Sequence, residues 1–338
     1  MSESPFIEPP ARHVPDALPI RETSLALLDL ERVQSHITEA FRRGRYDGPT
    51  EVIEYLQTHH CIATIDGNTY LTLTGLLCFG KNPQGLFPHA VIDLGHYSGR
   101  EAVSQAVIHL EKSIGGTIFE QLARVEDYLW KNTHHGMTLS LNSLQRVEVH
   151  EYPRAVIREL GVNMVAHRDY SIYGSAARVQ LFRNRIEWVS PGGLPPGLTV
   201  ENLLYEQRPR NPHMLRVLYE AGYVEAFGQG LDTVVAVLRD ERMVPPEFCD
   251  TGASFIATVY GRIRDTQNEE EPELRKLSDP QVMILTVLRA RGELAPRELR
   301  TYLAGRGERS LQRDLRKLLD AGLIEPVGET RSLKYRVR

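Results

Sequence analysis

The stretch that most constrains this chain runs from Glu151 to Ser171 and reads EYPRAVIRELGVNMVAHRDYS. Val156, Ile157, Leu160, Val162 and Val165 recur at helical spacing, which predicts a helix with a core-facing side. Glu159, Asn163 and His167 sit four residues apart, so they stack along one face of that helix. Burying three polar groups without partners is costly. Two readings stand: a polar face turned to water, or a carboxylate, an amide and an imidazole aimed into a pocket.

The following residues supply walls for such a pocket. AARVQLFRNRIEWV, from Ala176 to Val189, predicts two strands joined by a tight turn at Arg183-Asn184. The second strand runs into SPGGLPPG, a Gly- and Pro-rich loop where backbone can approach a ligand closely. In EAFGQGLDTVVAVL, Gly228 and Gly230 open a helical pattern from Leu231. Free N–H groups at such a helix start suit a phosphate. Between these pieces, Arg208 and Arg210 lie either in a solvated loop or within reach of an anion.

Residues from about 70 to 262 resemble the C-terminal ATPase-like region of proteins labelled RecG-like, or divergent AlbA/Schlafen-type ATP-binding regulators. The segments that carry the resemblance are TGLLCFGKNPQGLFPHA, YPRAVIRELGVNMVAHRDYS, RIEWVSPGGLP, Arg210-Asn211-Pro212 and EAFGQGLDTV. That region is similar in turn to the GHKL ATPases: gyrase, heat-shock chaperones, histidine kinases and MutL. The resemblance implies an α+β fold with a GHKL-like α/β sandwich core, a mixed sheet with helices on one face. It implies ATP and Mg²⁺ as cofactors, with Asn163 on the metal side and Glu159 as catalytic general base. His167, Ser190, Gly192, Gly193, Arg210, Gly228 and Gly230 would complete the nucleotide site. Where GHKL proteins place the aspartate of D-x-G-x-G, which accepts from the adenine amino group, this chain has Ser190-Pro191-Gly192-Gly193. Serine accepts a hydrogen bond without carrying charge. The AlbA-type domain that often precedes this region in the family is not expected in this sequence.

His167-Arg168-Asp169 matches the letters of the protein-kinase catalytic loop. Gly174 stands where its asparagine belongs and no Gly-rich loop precedes it, so that reading fails. Lys81 follows a glycine, but no phosphate loop of the form G-x-x-x-x-G-K-[ST] surrounds it. Cys61, Cys78 and Cys249 lack any C-x-x-C spacing. The 12 histidines include His59-His60 and His134-His135 but no H-x-x-x-H, so no histidine metal site is expected. No apolar run is long enough for a membrane span and no signal peptide is visible, which places the expectation in the cytoplasm, with no membrane partner.

The expected organisation is an N-terminal arm over 1–27, an α/β region over 28–150, the GHKL-like domain over 151–262, an acidic linker over 263–277 and a small domain over 278–338. Within the second of these, helices are expected over Leu28 to Arg45, Thr50 to His59 and Ala102 to Asn132, the last open to interruption at Gly115-Gly116. Asp66-Gly67 marks a hairpin turn, and His89 to Tyr97 a buried strand.

Residues 278–338 predict three short helices and a hairpin, which resembles a winged helix-turn-helix. The third helix would present Arg309, Ser310, Gln312, Arg313 and Arg316 to a major groove, where Arg and Gln read base edges. Arg331, Lys334 and Arg336 on the wing would meet phosphates. Residues 277–338 hold 13 basic and 8 acidic residues, a surplus of +5 within a chain of net charge -4. The expected function is therefore a transcriptional regulator that binds double-stranded DNA as a homodimer and senses a nucleotide or ligand. The rivals are an ATP-hydrolysing enzyme acting on DNA, and a dimerisation scaffold with a degenerate pocket.

Overall fold

The structure is a computed structural model describing residues 14–103, 106–139, 146–206, 208–224, 230–262, 277–303, 307–328 and 333–337. The chain divides into two compact units, the first comprising Met1–Asn132, Arg154–Val234 and Glu247–Thr258, the second Thr133–Pro153, Val235–Pro246 and Val259–Arg338.

In the first unit, α1 (Leu30–Arg42) starts at Asp29, whose side chain accepts from the Arg32 N–H. It buries Val33, Ile37 and Ala40. After α2 (Val52–Thr58), the Asp66-Gly67 turn joins β1 (Ile62–Ile65) to β2 (Asn68–Leu71). Thr72 then caps α3 (Leu73–Phe79), an entirely buried helix. Residues 14–27 of the expected arm pack into this unit: Asp16 and Ile20 are buried, and the Ile20 N–H bonds to the Leu71 carbonyl.

β3 (Ile92–Tyr97) pairs with β4 (Val107–Ile114), where a helix was expected across 102–132. The helix α4 (Ile118–Asn132) begins only after Gly115-Gly116. Pairing along β3 overrides the i, i+3, i+7 apolar spacing of Val107, Leu110 and Ile114 in VIHLEKSI. The next two strands, β5 (His135–Leu139) and β6 (Arg146–His150), form a hairpin that belongs to the second unit. α5 (Arg154–Ala166) is the expected central helix. β7 (Ala177–Leu181) and β8 (Arg185–Pro191) form the expected hairpin, and α6 (Pro212–Glu220) follows. With β9 (Glu247–Asp250) and β10 (Ser254–Tyr260), the strands make a six-stranded sheet ordered β4-β3-β7-β8-β10-β9.

β3 and β7 run parallel and their outer partners β4 and β8 antiparallel, so the sheet is mixed. Tyr128 of α4 stacks on His109, and Met164 of α5 accepts from Ser190, which sets both helices on one face. This is the expected α+β core. The boundary expected at 150/151 does not divide the sheet, because β3 before it and β7 after it share one ladder.

The second unit holds the β5–β6 hairpin and the C-terminal module. α7 (Gly230–Asp240) is divided between the two units. α8 (Asp279–Arg291) begins in a capping box from Ser278 and Gln281. α9 (Pro296–Thr301) and α10 (Glu308–Asp320) follow, then β11 (Ile324–Val327) paired with β12 (Lys334–Val337). Ile284, Leu288, Leu299, Leu315 and Leu318 form its core with Tyr335 of β12. The expected linker lies outside the described residues except for Leu277. Among the described residues no helix is long and apolar enough to cross a membrane.

Candidate nucleotide site and candidate nucleic-acid face

α5 buries its apolar sides and leaves its polar row facing a cavity of about 280 Å³. Glu159, Asn163 and His167 all line it, so the row is neither plain solvent surface nor sealed core. Glu159 is 6% exposed. Gly230 closes over this floor: a Cβ there would stand 2.7 Å from both Asn163 Nδ2 and Glu159 Oε1. Any side chain would push into the polar pair, so glycine is what lets the first turn of α7 approach. Gly228 lies outside the described residues.

Ser190, Gly192 and Gly193 form another wall. The Ser190 hydroxyl donates its one proton to the Met164 carbonyl at 2.8 Å. Only lone pairs remain for the cavity, so this serine acts there as an acceptor. Gly192 has φ +100°, and a Cβ would lie 2.6 Å from Asp169 Cβ. Both observations bar larger residues from the turn that carries the loop across the cavity.

The His-Arg-Asp triplet serves this wall in three different ways. The His167 imidazole is pushed down to about 4 by burial and, less strongly, by the Arg210 guanidinium, so it is neutral at pH 7. Arg168 is fully buried and donates to the carbonyls of Val91, His89 and Ser175, tying the loop to the start of β3. The Asp169 N–H bonds to the Pro191 carbonyl, and its carboxylate accepts from Arg210 Nη1 at 2.7 Å.

Arg210 also donates from Nη2 to the Gly193 carbonyl at 2.7 Å. Both ends of its fork therefore hold the glycine loop in place, and Arg208, not Arg210, is the guanidinium lining the cavity. The rest of the Arg-Asn-Pro segment is equally structural. Asn211 Nδ2 closes the end of α5 by donating to the Ala166 and Arg168 carbonyls. Pro212 takes the first turn of α6, whose His213 and Met214 N–H groups donate to the buried Asp16 carboxylate.

Sequence reasoning missed Glu206, Asp232 and Phe255, which also line the cavity. Asp232, in the first turn of α7, had a local signal; Phe255 had none, because β10 reaches the site through the sheet. The described carboxylates of the lining are Glu159, Glu206 and Asp232, against one guanidinium, Arg208, so acidic side chains outnumber basic ones. The remaining wall is apolar, with Val162, Leu203, Leu215 and Phe255, and suits a flat ring.

In the second unit, α10 buries Leu311, Leu315 and Leu318 and exposes Arg309, Gln312, Arg313 and Arg316 on the opposite side, with Ser310 half-buried. Lys334 is exposed on β12. Arg336 is engaged: it donates to Glu325 at 2.6 Å and to Glu293 at 3.4 Å. Arg331 lies outside the described residues.

Residues 174–259 match the model of a family described as putative ATP-dependent DNA helicase RecG C-terminal. The matched segment is less than half of the chain and begins after α5. Among solved structures, the chain is similar to the crystal structure of the DIP2311 protein from Corynebacterium diphtheriae, with 18% identity and a TM-score of 0.59. That similarity covers 97% of this chain and 65% of the other, just under two thirds of its length. At this identity the likeness concerns the fold. No curated protein matches the chain.

Proposed function

We propose that the chain is a DNA-binding regulator whose cavity under α5 holds ATP with Mg²⁺. The observation that carries this reading is the meeting of Glu159 and Asn163 with Gly230 at one cavity floor, beside the Ser190 glycine loop. The matched family's description, an ATP-dependent helicase C-terminal region, supports it for the segment that forms the loop and β10.

The residues present fit both groups. Asn163 offers an amide oxygen of the kind Mg²⁺ takes alongside water and phosphate oxygens. Acidic side chains outnumber basic ones in the lining, so a polyphosphate enters at lower cost when a divalent cation accompanies it. The start of α7 directs N–H groups toward an anion. Ser190 accepts from an exocyclic amino group, and the apolar wall takes the ring. Glu159 is the group that would hold a proton from an attacking water, which is the enzyme alternative.

DNA binding is proposed for the second unit, on the strength of the cationic face of α10 opposite its leucine stripe. A single winged helix buries little surface on DNA, so we propose that two copies act together. The experiment is thermal denaturation with and without ATP·Mg²⁺. A rise in melting temperature that Asn163→Ala removes is expected. No rise at millimolar nucleotide would favour the scaffold reading. Phosphate release that Glu159→Ala stops would favour the enzyme.

A further inference from the structure

The six-stranded sheet ends on two edges that are built differently. β9 is four residues long and carries a carboxylate at each end, Glu247 and Asp250. Short, charged edges resist pairing with other chains. β4 is eight residues long, and its outer edge pairs with no strand among the described residues. Its side chains sort by face. His109 stacks on Tyr128, and Glu111 accepts from Arg124 at 2.6 Å, so both point to the side of α4. Leu110 lies between them and faces the other side. It is 49% exposed, Ile108 is 58% exposed, and Val107 is exposed as well.

We propose that β4 pairs antiparallel with β4 of a second copy of this chain, with the two-fold axis at Leu110. The strand is complementary to itself in that register. Leu110 then meets Leu110 of the other copy, His109 stands opposite Glu111, and Glu111 opposite His109. An imidazole N–H donates to a carboxylate, so two such pairs flank the leucines. The same two residues already approach within one strand, with His109 Nε2 3.6 Å from Glu111 Oε2.

Neighbouring registers fail. Paired residues share a face of the sheet, so the axis must fall on a residue. Centred on Glu111, two carboxylates face each other; centred on Lys112, two ammonium groups do; centred on His109, each Glu111 faces a valine. The ladder with β3 points to the same centre. It is regular over His109, Leu110 and Glu111 and shifts register on both sides, between His96 and Tyr97 and between Ile92 and Leu94. Ile108 would meet Lys112 of the other copy, whose methylene stem covers apolar surface while its ammonium stays in water. An interface of one strand pair and a few apolar side chains is small, so the dimer is weak and forms with concentration. This edge gives a surface to the pairing of copies proposed for DNA binding, and it does not rest on the nucleotide reading.

The test is sedimentation velocity on the full chain over a concentration series, with neither nucleotide nor DNA present, so that failure here leaves both of those readings standing. The expected result is a monomer–dimer equilibrium in the micromolar range. Leu110→Asp sets two carboxylates opposite each other at the axis and is expected to weaken the dimer by about tenfold or more. Met137→Asp, at an exposed methionine of β5, leaves it unchanged. The register has its own test. His109→Glu and Glu111→Lys are each expected to weaken self-association, and an equal mixture of the two restores it, because only the mixed pair sets glutamate against histidine and glutamate against lysine. Restoration also verifies that both variants fold. A chain that stays monomeric into the high micromolar range, a dimer that Leu110→Asp leaves intact, or a mixture no tighter than its components would each overturn the proposal.

Discussion

Ser190 shows how one hydroxyl changes what a pocket can read. Its proton is held by the Met164 carbonyl, so a donor on the ligand is welcome and an acceptor is not. Adenine presents an amino group where guanine presents a carbonyl. ATP is therefore expected to bind more tightly than GTP, and Ser190→Ala is expected to erase about 1 kcal/mol of that preference. Competition between the two nucleotides for a fluorescent analogue measures the difference; an equal preference in both proteins would remove Ser190 from recognition. The site row Glu159, Asn163 and His167 was legible because helix spacing alone puts residues four apart on one face. Arg210 was not, since a guanidinium near an anion site and one bridging a carboxylate to a carbonyl have the same sequence signature.

Among the elements, α1, α2 and α6 are joined by a buried polar cluster. Glu220 of α6 accepts from Tyr55 at 2.7 Å, and its carboxylate lies 2.7 Å from His59 Nε2 and 3.6 Å from His36 Nε2. Burial alone pushes this carboxyl up; the hydrogen bonds from His36, His59 and Tyr55 outweigh it and hold it down at about 2. A carboxyl lowered on folding contributes stability that is present above its unfolded value of 4.5 and is lost as pH falls toward about 2. Urea denaturation across that window is expected to show a loss on the order of 3 kcal/mol. Glu220→Gln is expected to flatten that dependence and to be less stable at pH 7; a wild-type slope in the variant would count against the cluster. None of this was visible in sequence, where His36, Tyr55, His59 and Glu220 are scattered along the chain.

For the molecule as a whole, charge is the property that separates its regions. The surplus of +5 over residues 277–338 sits within a chain of net charge -4. Binding of duplex DNA is expected to weaken steeply with salt, and Arg313→Ala to reduce the slope of log affinity against log salt by about one. Arg336→Ala is expected to change it less, because Glu325 and Glu293 already neutralise that side chain. Fluorescence anisotropy over a salt series reads both; binding indifferent to salt would sink the DNA assignment.

The sequence by itself determined the local elements and the polar row of α5, because helical and strand periodicity, capping residues and turn glycines act over a few positions. It also carried the amphipathic third helix of the C-terminal module, whose leucines and arginines segregate at 3.6 spacing. Tertiary structure decided what pairing over long range decides. It made β4 a strand, joined the segments on either side of residue 150 in one sheet and brought Phe255 to the cavity wall. It also gave Glu159 and Asn163 their setting: the row could be read from spacing, but only the approach of Gly230 and the Ser190 loop turned it into the floor of a cavity.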